Sequence, residues 1–114
     1  MSQTYVPQRA DVVITGRLGQ TPTLNHTDKN NIPVTTINLA VNHSKRNPDT
    51  GEREDAGTSW FHITMWSNLA QQAVTLRKGA KIQIEGAMRW ETYEKDGEER
   101  RNLKITAQSF RIVN

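Results

Sequence analysis

Residues 59–66 read Ser-Trp-Phe-His-Ile-Thr-Met-Trp, and no other stretch constrains the fold of this chain as tightly. The segment alternates with period two, which is the signature of a β-strand. Phe61, Ile63 and Met65 share one face and supply ordinary core. Trp60, His62, Thr64 and Trp66 share the other. Two large aromatics set among polar side chains suit a face that meets something wet and flat. At about 3.3 Å per residue the two tryptophans stand roughly 20 Å apart along the strand.

The neighbouring segments continue the pattern. Residues 11–18 (DVVITGRL) form a strand candidate, in which Gly16 marks a bulge or a close backbone approach. Residues 19–33 carry Pro22, Asn25, Asp28, Asn30 and Asn31 and read as a turn-rich connection. Residues 34–42 (VTTINLAVN) alternate again, with Ile37, Leu39 and Val41 opposite Asn38, Ala40 and Asn42. The charged stretch 45–57, with the turn signal Asn47-Pro48-Asp49-Thr50-Gly51, predicts a protruding hairpin before the tryptophan strand.

After Trp66 the period changes. Leu69, Ala70, Ala73 and Leu76 recur at helical spacing, Ser67 is placed to cap the helix, Arg77 and Lys78 to favour its C-terminal end, and Gly79 to stop it. Residues 81–94 form a long strand with a bend at Gly86, and Asp96-Gly97 is a hairpin turn. Residues 101–113 make a last strand, whose parity changes between Ile105 and Phe110 and so predicts a bulge. Three strands, one short helix and two strands form an all-β layout. It is that of a five-stranded Greek-key barrel of the oligonucleotide-binding type, with the helix between the third and fourth strands. Residues 1–10 read as a flexible lead-in, and 11–114 as one domain.

Composition narrows the chemistry. Fifteen Lys and Arg against twelve Asp and Glu give a net charge of +3, a mild basic bias compatible with a nucleic-acid partner. With no cysteine, disulfide scaffolds and thiolate metal sites are excluded. No leader-like or membrane-length apolar run is present, so the expected location is cytoplasmic, with the nucleoid, and no membrane partner is expected. His26, His43 and His62 lie on separate segments without metal-ligand spacing. No phosphate-binding glycine loop or nucleophile elbow occurs. The acids Glu91, Glu94, Asp96, Glu98 and Glu99 alternate with Lys95, Arg100 and Arg101 around a turn, and read as a solvated hairpin tip rather than paired catalytic carboxylates. No enzyme activity and no cofactor are expected.

A binding surface has more support. Trp60 and Trp66 could be core, but Phe61, Ile63 and Met65 already fill the inward face. Trp90 and Tyr93 differ in parity, so at least one is a core candidate, with Tyr93 the better placed for exposure. Lys45, Arg46, Arg77, Lys78 and Arg89 are interleaved with these rings. Cations for a phosphate backbone and flat rings for bases are the combination a single strand requires.

These residues resemble the bacterial single-stranded DNA-binding proteins, and the likeness covers residues 11–113. It is carried by Val13-Ile14-Thr15-Gly16-Arg17-Leu18-Gly19-Gln20-Thr21-Pro22, then Ile37-Asn38-Leu39-Ala40-Val41 and Trp60-Phe61-His62-Ile63. It continues through Asn68-Leu69-Ala70, Leu76-Arg77-Lys78-Gly79, and Ile84-Glu85-Gly86 followed by Tyr93. The resemblance implies stacking at Trp60, Trp66 and Tyr93, phosphate contact from one or both of Arg77 and Lys78, and sequence-independent binding of single-stranded DNA in replication, repair or recombination. It also implies a homo-oligomer, a tetramer ahead of a dimer, with N-terminal strands pairing across subunits.

Two departures stand out. Where the family often has another stacking aromatic, this chain has Lys45, so a charge contact is expected there. The family's Gly/Pro-rich extension with an acidic tip, which recruits replication and repair proteins, has no counterpart up to Asn114. Alternatives on the same barrel are a primosome-type protein adaptor and a small metal-dependent nuclease. Stacking does not discriminate a 2′-hydroxyl, so RNA is a further ligand of the same chemistry.

Overall fold

The computed structural model describes residues 5–113. Of the expected lead-in, residues 1–4 lie outside the described residues, as does Asn114; residues 5–10 are exposed and carry neither helix nor strand.

Among the described residues six strands and one helix follow one another: β1 (Asp11–Leu18), β2 (Asn25–His26), β3 (Pro33–Arg46), β4 (Arg53–Trp66), α1 (Ser67–Ala73), β5 (Lys81–Lys95) and β6 (Glu98–Ile112). β2 is a two-residue addition within the turn-rich connection, paired to the start of β3. The five long strands form a ring. β1 lies beside β5, then β6, β4 and β3, and β3 returns to β1 through Arg17–Ala40 and Leu18–Leu39. All pairs are antiparallel except β4 with β6, which run parallel at Ile63–Ile105 and Thr64–Thr106. This is the Greek-key barrel that the strand order predicts.

Period two decides what fills it. Ile14, Leu18, Ile37, Leu39, Ile63, Met65, Ile82, Ile84 and Ile105 point inward and are buried. Thr35 is the one buried polar residue among those described, and its hydroxyl donates to the Thr23 carbonyl at 2.8 Å. α1 closes one end with the small residues Ala70 and Ala73, and Leu76 follows just beyond the helix; all three are buried.

The helix ends differ from the sequence expectation. Its N-cap is Trp66 rather than Ser67, no side chain caps it, and Ser67 sits at φ +57°. An indole carries a donor only and cannot accept from the free N–H groups of a first turn. α1 stops at Ala73, where Thr75 satisfies the Gln72 carbonyl through both its hydroxyl (2.7 Å) and its amide (3.2 Å). Arg77 and Lys78 therefore stand in the following turn, not in the last helical turn. That turn is held to β1: Gly79 N–H donates to the Leu18 carbonyl (2.8 Å), and Arg17 donates to the Gly79 carbonyl (3.0 Å).

Gly16 makes the close backbone approach expected of it, and Gly86, expected as a bend, makes one too. A Cβ on Gly86 would lie 2.2 Å from the Thr106 carbonyl oxygen, beside the register shift that leaves Gln108 of β6 as the extra residue. That bulge is the one signalled by the parity change. A Cβ on Gly16 would lie 2.3 Å from the Ala40 carbonyl oxygen, where β1 turns from β5 to β3. Backbone blocks this position, so no rotamer change relieves it. Gly16→Ala is expected to cost about 1–3 kcal/mol, the range for forced overpacking, read as a lowered urea midpoint.

Candidate nucleic-acid interface

The outward faces of β4, β6 and β5 form one continuous surface, and the register states which side chains it carries. β4 contributes Trp60, His62, Thr64 and Trp66. β6 contributes Asn102, Lys104 and Thr106, with Thr106 beside Thr64. β5 contributes Ala87, Arg89, Glu91 and Tyr93, which pair with Thr106, Lys104, Asn102 and Arg100 of β6.

Because the partner positions on β4 are sealed (Ile63 and Met65 are fully buried), the indoles are turned out. Trp60 is 56% and Trp66 39% exposed. Trp66 lines a groove of about 400 Å³ with Ala87, Met88, Arg89, Lys104 and Thr106. A second groove of about 330 Å³ runs alongside, lined by His62, Thr64, Glu91, Asn102, Leu103, Lys104 and Ile105. His62 Nδ1 shares a 2.5 Å hydrogen bond with Asn38 Oδ1 on the neighbouring strand, which fixes the imidazole between the two tryptophans. Trp60 lies over Gly19: a Cβ there would come within 2.5 Å of its Cζ3 and 2.9 Å of its Cη2. Gly19 in turn donates its amide to Asn38 (2.9 Å), so the β1–β2 connection is fastened beneath the ring.

The remaining candidates divide by position. Tyr93 is 46% exposed and continues the row of Arg89 and Glu91 on the same face as the tryptophans. Trp90 is 62% exposed but belongs to the opposite row, with Ile84 and Met88. Neither residue is core, contrary to the parity argument. The β5–β6 hairpin outruns the barrel here, and its inward-parity face has no core to enter. Arg101 stacks on the Trp90 ring at 5.3 Å instead.

The β3–β4 hairpin divides its cations in the same way. Arg46 lies in the outward row with Asn42 and Ser44, paired to Arg53, whereas Lys45 pairs with Glu54 on the other face. Arg77 and Lys78 are exposed in the turn after α1, where the Lys78 amide bonds Thr21 Oγ1 (3.1 Å) in the connection that begins at Gly19. Among the described residues none of Lys45, Arg46, Arg77 and Lys78 is in an ion pair. Arg89 is: its Nη2 lies 3.0 Å from Glu91 Oε1, which also lies 3.6 Å from Lys104 Nζ.

Sequence reasoning missed Lys104 and Arg53. Lys104 meets Arg89 and Glu91 through the register of β5 with β6, and Arg53 meets Arg46 through that of β3 with β4. Glu91 was grouped with the hairpin tip, although it stands in the groove wall. Among the described residues no three His, Asp or Glu side chains are grouped to hold a metal, and no helix is long and apolar enough to cross a membrane.

The closed ring of five long strands, with its helix between β4 and β5 and an aromatic outer face, defines an oligonucleotide-binding fold. Two solved structures share it. A small single-stranded DNA-binding protein from Streptomyces coelicolor superposes with a TM-score of 0.77 at 20% identity, covering 94% of this chain and 96% of that one. A Plasmodium falciparum single-stranded DNA-binding protein in complex with single-stranded DNA gives 0.76 at 19% identity, with both chains fully covered. The sequence profile of the single-strand binding protein family matches residues 10–113, and the chain belongs to that family. A single-stranded DNA-binding protein of Xylella fastidiosa (strain Temecula1 / ATCC 700964) is 30% identical over 104 residues, or 90% of this chain. The matched region spans 62% of that relative's length.

The seat of Trp60 yields a test of the geometry. Gly19→Ala meets a movable ring rather than backbone, so its stability is expected to stay within about 0.5 kcal/mol. The indole must swing away, and the tryptophan emission spectrum should shift while the urea midpoint does not.

Proposed function

We propose that this protein binds single-stranded DNA without sequence preference, protecting exposed strands during replication, repair or recombination. Residues 11–114 act as one binding domain. The observation that carries the reading is the outward pair Trp60 and Trp66, held open over a sealed core and flanked by cations. Bases stack on the tryptophans and on Tyr93; phosphates meet Arg46, Arg77, Lys78 and Arg89, with Lys104 added by the structure. Lys45 and Trp90 lie off this face. They fit a strand that crosses the hairpins from one side to the other, Lys45 by charge and Trp90 as a ring already paired with a cation. Family membership and the name of the Xylella relative support the same ligand. We assign no catalytic step and place the protein with DNA in the cytoplasm.

Titration with oligo-dT is expected to quench tryptophan fluorescence strongly, with affinity falling as salt rises. Trp60→Ala and Trp66→Ala should each weaken binding by about 1–3 kcal/mol at unchanged stability. Absence of quenching at low salt defeats the proposal. A preference for the RNA homologue in the same titration would redirect it.

Assembly is part of the proposal. β1 pairs with β5 along Asp11–Arg17, but its other edge meets β3 only at Arg17 and Leu18. Residues 11–15 thus present unpaired backbone, and Val13 there is 61% exposed. An open apolar edge of this kind is completed by the same strand of a second copy. One such pairing joins two copies and two joined pairs make the tetramer the resemblance implies, so light scattering should return two or four times the 13.0 kDa chain mass. A monomeric mass at micromolar concentration contradicts the assembly while leaving the DNA reading intact.

A further inference from the structure

We propose that Glu91 is an internal stand-in for a DNA phosphate: its carboxylate occupies the position between Arg89 and Lys104 where the strand's backbone must sit, and it limits affinity and salt dependence. The inference rests on the single-strand reading above.

Glu91 Oε1 takes both cations at once, Arg89 Nη2 at 3.0 Å and Lys104 Nζ at 3.6 Å. All three side chains stand on the outward face of adjacent strands. Arg89 and Lys104 line the groove with Trp66, and Glu91 and Lys104 line the one beside it with His62. The Lys104 side chain is 34% exposed, the least exposed of the three. Arg89 and Lys104 are the two cations found within the groove that Trp66 lines. A base stacked on Trp66 therefore brings its phosphate to cations already neutralised by half.

The bland alternative is an ordinary surface ion pair, the kind Arg9 and Asp11 make at 2.9 Å where the chain enters β1. Such pairs contribute little to stability. Position separates the two cases. A carboxylate between two groove cations opposes an incoming phosphate directly, because the strand must share the cations with it or displace it. Two cations and one acid act as roughly one positive charge. Two cations alone act as two, and each further phosphate neutralised adds about 0.7 to the slope of log K against log salt for a single strand.

The test compares unmodified protein, Glu91→Gln and Glu91→Thr in oligo-dT titrations across a salt series. Asp49→Asn, an acid in the β3–β4 turn, makes the same change of net charge outside the groove. For both Glu91 variants the slope should steepen by about 0.7, so that a gain of about tenfold in affinity at 0.05 M salt shrinks to about twofold at 0.5 M. Asp49→Asn should show less than half the gain at low salt. Lys104→Gln should then cost more in the Glu91→Gln background than in the unmodified protein, since only there does the ammonium face the strand alone.

An unchanged or weakened affinity in both Glu91 variants, or a gain matched by Asp49→Asn, overturns the role given to Glu91 while leaving the DNA reading in place. Failure of the unmodified protein to bind oligo-dT overturns both.

Discussion

The approach of β1 to β3 at Gly16 is the contact on which the rest of the structure depends. β1 runs along β5 for most of its length and then crosses to Ala40 and Leu39 of β3. Without that crossing the five strands would be an open sheet with two edges and a core exposed on one side. Closure is possible because residue 16 has no Cβ; one would sit 2.3 Å from the Ala40 oxygen. Once the ring is closed, inward positions have nowhere to go but a dry interior, and outward positions are committed to the surface. The exposure of Trp60 and Trp66 is thus a consequence of closure as much as of local sequence. The same crossing carries the chain on to Gly19, which lies under Trp60.

Much of this was legible because the strands keep strict alternation wherever they border the core. β1 has the bounds read from the sequence, and the parity break before Phe110 located a real bulge. Legibility failed where the physical reason for alternation stops. The two long hairpins extend past the barrel, so inward parity there no longer means burial. Trp90 was a core candidate by period and is instead among the most exposed aromatics. The ends of α1 were misread for another reason. A serine followed by an apolar repeat signals a cap, but the chain leaves β4 so abruptly that Ser67 takes a positive φ and the cap position falls on Trp66. Turn geometry overrode residue preference.

The proposed binding face was legible in its rings and only partly in its charges. Aromatics announce themselves on one strand, because a single segment shows their parity. The cations of the proposed site come from β3, β4, β5, β6 and the turn after α1, and their grouping is a property of register. Arg46 and Lys45 are neighbours in sequence with equal claims to a phosphate. Strand pairing puts the first in the outward row of β3, toward Arg53, and the second on the back of the hairpin opposite Glu54. Lys104 had no sequence signal at all, since it is one cation in a strand of mixed charge.

On the proposed reading, this distribution bears on how a chain with so small a charge excess holds a polyanion. A net charge of +3 is a weak long-range attractor, and two of the groove cations already share a carboxylate. Phosphate pairing alone would be shallow and easily screened. Stacking is neither, because a base placed on a fixed indole gains contact and sheds water irrespective of salt. The rings must be held out of the core for that gain to be available, and their backs must be supported so that no ordering cost is left for the moment of binding. Buried Ile63 and Met65, with Phe61 half-buried beside them, supply the first condition. Gly19 beneath Trp60 supplies the second for that ring. On the proposed reading, charge aligns the strand and the preorganised rings retain it.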